Sequence, residues 1–134
     1  MTADLSRYDH FVDSVTSDVS KDLDLYIQRL REIQAAGINP TLFNTAATGL
    51  AGEAGEFGEL NKKINWHGKP ITPELMQHLE KELGDVIFYW MMACQALDLD
   101  ADEVIKKNVA KLQARYPEGH FSVDRSENRA EGDV

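Results

Sequence analysis

The stretch Glu80-Lys81-Glu82-Leu83-Gly84-Asp85-Val86-Ile87-Phe88-Tyr89 sets two carboxylates, Glu82 and Asp85, inside the most apolar part of the chain. Residues three apart share one face of a helix, so the pair can aim at a single point. A second acidic pair at the same spacing, Glu53-Ala54-Gly55-Glu56, precedes it, with 25 residues between Glu56 and Glu82. Two such helices packed antiparallel would gather four carboxylates in an otherwise apolar core. Buried like charges repel strongly and unpaired buried carboxylates are costly. The arrangement therefore asks for a cation, and oxygen donors suit a hard divalent ion, Mg²⁺ or Mn²⁺. The competing explanation for Glu53 and Glu56 alone is a solvated acidic face. The apolar setting of Glu82 and Asp85, between Leu79, Leu83, Val86 and Ile87, argues against it for the second pair.

Other metals fit less well. Di-iron bundles use Glu-x-x-His pairs, and neither acidic pair has histidine at the fourth position. His78 stands four residues before Glu82 and can approach it, but no glutamate lies three before His78. Zinc prefers histidine and cysteine.

Outward from this core, the pattern predicts an all-α chain. Tyr8, Phe11, Val12 and Val15 are spaced for a short amphipathic helix. A second helix is expected from Asp18 or Ser20 to about Ala36, closed by Gly37 and Asn39-Pro40. A third is expected from about Thr41 to Asn65; its glycines 49, 52, 55 and 58 suggest close approach of another helix or a ligand. Trp66-His67-Gly68-Lys69-Pro70-Ile71 is expected as a loop. Thr72-Pro73-Glu74 has the cap, proline and first-turn acid of a helix start, opening a helix to about Leu97 that is expected to be buried on most sides. Asp100 through Glu103 resembles a capping box and opens a last helix to about Tyr116. The expected architecture is a bundle of four to five helices completed by oligomerisation, a homodimer or homotetramer. Residues 1–117 form the domain and 118–134 a polar arm or tail.

With 134 residues the chain is long enough for one domain. Its net charge of −9 argues against general binding to nucleic acid or anionic membranes. No apolar run approaches the ~18 residues of a membrane span, and the N-terminus lacks a basic start followed by an apolar run. The single Cys94 cannot form an internal disulfide. A cytoplasmic location is expected.

A cationic stripe follows on the last helix. Asn108, Lys111 and Arg115 are spaced three and four apart, a phosphate clamp if they face a metal site and a dipole-complementing C-terminus otherwise.

Together these features resemble the MazG-like family of all-α nucleoside triphosphate pyrophosphohydrolases. The family order is Glu-x-x-Glu, a spacer, then Glu-x-x-Asp; here Gly52-Glu53-Ala-Gly-Glu56 and Glu80-Lys-Glu82-Leu-Gly-Asp85 stand in those places, followed by Asn108, Lys111, Arg115 and Tyr116. The resemblance covers about residues 42–117. Thr45 through Glu56 and the tail Arg125 through Arg129 are similar to small, single-domain bacteriophage-type members. Gly52 stands where many relatives carry a further glutamate.

The resemblance implies hydrolysis of a nucleoside triphosphate to the monophosphate and pyrophosphate, with dGTP or GTP the first candidates and diphosphates also admitted. It implies Glu53, Glu56, Glu82 and Asp85 as catalytic metal carriers for two or more Mg²⁺ ions, with Mn²⁺ able to substitute. Asn108, Lys111 and Arg115 would meet the phosphates. Tyr89, one turn after Asp85, would stack on the base or sugar unless it is a core residue. Trp66, with His67 and Lys69, would reach a neighbouring subunit's site; Lys62 and Lys63 are solvated or do the same. The alternative is a non-catalytic helical oligomer that binds a nucleotide or a partner.

Overall fold

The computed structural model describes residues 5–129; the ends of the expected N-terminal segment and polar tail, residues 1–4 and 130–134, lie outside the described residues. The described chain is all-α, as expected. Its helices are α1 (Leu5–Val15), α2 (Asp18–Lys21), α3 (Leu23–Ala35), α4 (Pro40–His67), α5 (Pro73–Ala96), α6 (Ala101–Arg115) and α7 (Val123–Glu127).

Local chemistry sets most of these boundaries. At α4, Asn39 accepts from the Leu42 amide at 3.1 Å and Pro40 takes the first turn, where its missing N–H costs nothing. Gly68 ends the helix at φ 67°, a left-handed conformation that glycine adopts without steric penalty. Thr72 accepts from Leu75 at 3.2 Å to open α5, and Asp100 accepts from Asp102 and Glu103 to open α6.

The single helix expected from Asp18 to Ala36 is two. The break is at Asp22, whose backbone is extended and whose carboxylate accepts from the Asp24 amide at 2.8 Å and the Leu25 amide at 3.1 Å. An aspartate inside an amphipathic pattern here serves as a cap. Trp66 and His67 also differ from expectation, since they complete the last turn of α4 rather than starting the loop. The polar arm from residue 118 holds the short α7, capped by Ser122 and tied back by Arg125 to Glu118 at 3.0 Å.

The structure is organised by one pair. Helices α4 and α5 pack antiparallel and make by far the most extensive contact between elements. The Asn39 amide donates to the Ala96 carbonyl at 2.9 Å, pinning the start of α4 to the end of α5. Ala46 and Leu60 on α4 and Leu75, Cys94 and Ala96 on α5 are buried. Helix α3 lies against α4, with Asn44 donating to the Tyr26 hydroxyl at 2.8 Å.

Of the spaced glycines, Gly49 makes the expected close approach: a β-carbon there would overlap the ring of Tyr89. Gly52, Gly55 and Gly58 face open space within this chain. The expected burial of α5 on most sides is also not met within one chain. Leu83, Ile87, Phe88 and Met91 are exposed, because α4 covers one stripe and α6 makes no extensive contact with either helix.

This geometry separates the glycines experimentally. Gly49→Ala should destabilise by about 1–3 kcal/mol, since the overlap with Tyr89 exceeds the helix-propensity gain. Gly58→Ala should be neutral or stabilise by up to ~1 kcal/mol. Thermal and urea melts check both; equal behaviour of the two would contradict the packing at Gly49.

Candidate metal centre

The antiparallel register of α4 and α5 brings the two acidic pairs together. One carboxylate oxygen from each of Glu53, Glu56 and Glu82 converges, all within 4.8 Å of one another. Asp85, one turn beyond Glu82, acts on Glu53 as the strongest of its charged neighbours. Three of the four acids named by the spacing thus converge across one helix pair, with Glu82 buried, Glu53 half-buried and Glu56 exposed; Asp85, exposed, lies outside that group and faces it through its charge on Glu53.

The electrostatics of this cluster are repulsive. Glu53 is held above its ordinary value, first by desolvation and then by the charges of Asp85, Glu56 and Glu82. Glu53 and Glu82 come within hydrogen-bonding reach, but this contact is a bond only when one of them carries a proton. Without it, Glu82 Oε2 is a buried oxygen with no donor, and Glu82 as a residue is 6% exposed. A buried carboxylate oxygen left unpaired costs at least ~1–3 kcal/mol. Its partner oxygen is satisfied: His78 Nε2 lies 2.9 Å from Glu82 Oε1. An oxygen-only donor set with one orphaned buried oxygen fits a hard divalent cation.

The other expected residues are placed as follows. Asn108 lines a groove of about 440 Å³ with Leu50, Val86, Ile87, Trp90, Val104 and Ile105. Lys111 is exposed and Arg115 half-buried, both on α6 and both engaged within the chain. Tyr89 is half-buried, its ring against Gly49 and edge-on to Phe88 at 5.2 Å between centroids. Trp66 is 76% exposed. Lys62 and Lys63 are drawn to Glu59, one turn back on α4. The i, i+4 spacing of His78 and Glu82 is the sequence signal for the imidazole that bonds the buried acid.

Comparison with known proteins agrees with this geometry. The profile of the MazG nucleotide pyrophosphohydrolase domain matches residues 43–120. The chain belongs to the MazG nucleotide pyrophosphohydrolase family. The match spans α4, α5 and α6, the elements that carry all four acids and the cationic stripe. Gene 37 protein of Mycobacterium phage L5 is 40% identical over 72 residues, which is 53% of this chain and 63% of that protein. The alignment thus covers less than two thirds of that curated relative. Its phage source fits the likeness to phage-type MazG members. No solved structure matches.

The raised Glu53 gives a signed stability prediction for metal-free protein. Glu53 holds its proton more tightly folded than unfolded, so folding is penalised above its unfolded value near 4.5 and stability falls as pH rises through the raised folded value. Glu53→Gln removes the charge facing Asp85, Glu56 and Glu82. In chelator it should melt at or above the unaltered chain at about pH 7.5, and the gap should close by about pH 4.5. A lower melting temperature at neutral pH would contradict repulsive clustering.

Proposed function

We propose that this chain hydrolyses a nucleoside triphosphate to the monophosphate and pyrophosphate, using divalent ions held by Glu53, Glu56, Glu82 and Asp85. The observation that carries this reading is Glu82 Oε2, buried and without a donor in a cluster of convergent carboxylates, in a chain of the MazG family. Two or more Mg²⁺ ions are proposed, with Mn²⁺ able to substitute. Bound there, they supply neutralising charge for the phosphates and an activated water at neutral pH.

The chain's own residues then have defined tasks. Glu53, Glu56 and Asp85 orient donors around the buried Glu82, and one glutamate, Glu56 in this proposal, orients the water. The water oxygen bonds to the α-phosphorus as its bond to the bridging oxygen breaks. The leaving pyrophosphate takes the electron pair, and a proton from water passes to a carboxylate. Lys111 and Arg115 are proposed to carry the charge that grows on the leaving oxygens, with Asn108 beside them. Tyr89 and Trp66 are proposed to contact the nucleoside. The packing of Tyr89 against Gly49 supports an edge contact by the half-buried ring, and the exposure of Trp66 supports a reach toward a neighbouring subunit.

We read residues 1–117 as the catalytic domain and 118–134 as a polar arm. A nucleoside or deoxynucleoside triphosphate is the proposed substrate, dGTP or GTP first, with diphosphates secondary. The host cytoplasm is the proposed location. Among the described residues no helix is long and apolar enough to cross a membrane.

Assembly belongs to this reading. A compact chain of 15.1 kDa exposes roughly 7,100 Å², whereas this one exposes 10660 Å². The excess includes Leu83, Ile87, Phe88 and Met91 on α5 and Tyr8, Phe11, Val12 and Val15 on α1. Apolar surface of this extent is typical of a subunit interface. A homodimer or homotetramer would cover it and bring α6 of one chain nearer the acids of another.

Two measurements test the proposal. A panel of the eight common nucleoside triphosphates with Mg²⁺ or Mn²⁺ should release pyrophosphate rather than orthophosphate, and chelator should abolish it. Asp85→Asn should lose at least ~100-fold in rate. Binding of nucleotide without any turnover would favour the non-catalytic alternative. Light scattering should show an oligomer at micromolar concentration, and mixing Trp66→Ala with Glu53→Gln chains should restore part of the activity. A fully active monomer would overturn both the assembly and the role of Trp66.

A further inference from the structure

We infer that His78 is a positioning residue for Glu82, fixing which carboxylate oxygen is presented to a metal ion; this rests on the proposed metal-binding role of the acidic cluster. Glu82 is the one buried acid of the cluster, and its two oxygens have different surroundings. Oε1 lies 2.9 Å from His78 Nε2. Oε2 is buried with no partner. An ionised carboxylate only accepts, so the proton in this contact sits on Nε2 and the imidazole donates. The bond closes a single helical turn within α5, since His78 and Glu82 are four apart.

The consequence is directional. A carboxylate with two free oxygens turns about its terminal torsion, which is broad and roughly two-fold. With Oε1 held by His78, that rotation is restrained and Oε2 is left as the free donor atom. His78 is not itself one of the converging ligands: the atoms within 4.8 Å of one another come from Glu53, Glu56 and Glu82. Its side chain is about half exposed, at 52%, so its replacement opens no cavity in the core. A hydrogen bond that orients a metal ligand typically changes metal affinity by about 10- to 100-fold.

The experiment measures Mn²⁺ binding to the full chain, by the electron paramagnetic resonance signal of free Mn²⁺ and by calorimetry, without substrate. The unaltered chain is compared with His78→Ala and His78→Gln, whose amide nitrogen can replace Nε2 as donor. His78→Ala should weaken Mn²⁺ binding about 10-fold or more, and His78→Gln should recover most of that loss. The metal-free melting temperature should fall modestly in His78→Ala, which leaves Oε1 without its donor, and recover in His78→Gln. Unchanged affinity in His78→Ala, beside clear binding by the unaltered chain, would overturn the inference alone. Equal losses in the alanine and glutamine variants would also overturn it, because donation would then not be what matters. No Mn²⁺ binding by the unaltered chain would overturn the metal reading and this inference with it.

Discussion

Burying Glu82 between α4 and α5 is the constraint around which the rest of the structure is arranged. A carboxylate that is 6% exposed, with two more carboxylates in reach, opposes folding unless a counter-charge is present. The chain nevertheless fixes this geometry from both ends. The bond from Asn39 to Ala96 holds one end of the helix pair, and the five-residue turn between Gly68 and Thr72 holds the other. Between them, Gly49 lets α4 come up against Tyr89. Each device serves packing by itself. Their joint effect is to place Glu53 opposite Glu82 and Asp85.

Much of this was legible in the sequence because it depends on local rules. Pro73 after Thr72 and Asp100 before Ala101 are caps whose chemistry acts over three or four residues, and the structure uses both of them. The acidic spacing was legible for the same reason: i, i+3 geometry survives whatever the helix packs against. Asp22 was read as a helical residue because apolar periodicity runs through it, while its side chain competes with the helix for backbone amides. Trp66 and His67 were set in a loop because Gly68 and Pro70 follow closely, yet a helix runs right up to its left-handed terminator.

What the sequence could not supply was the source of each covering surface. The breadth of the apolar pattern on α5 reports how much surface must be covered, not which chain covers it. Within one chain α4 takes one stripe, so Ile87 and Phe88 stay exposed at 61% and 57%. The same limit holds for Asn108, Lys111 and Arg115. Their shared face follows from spacing on α6, but where that face points depends on tertiary and quaternary contacts that α6 does not make extensively within the chain.

These two deficits, uncovered apolar surface and uncompensated acid, make stability and function depend on the same events. A ligand that binds only the folded state stabilises it by RT ln(1 + [L]/Kd). For a cation bound as proposed, relief of repulsion among the clustered acids would be part of what sets Kd. With a net charge of −9, the proposed function requires metal to bind before or together with the nucleotide, because the acidic cluster alone would repel a polyphosphate. A nucleotide arriving with its own divalent ion meets both requirements at once. On the proposed function, the same acidity would disfavour a free polyphosphate and favour the metal-bound form of the substrate.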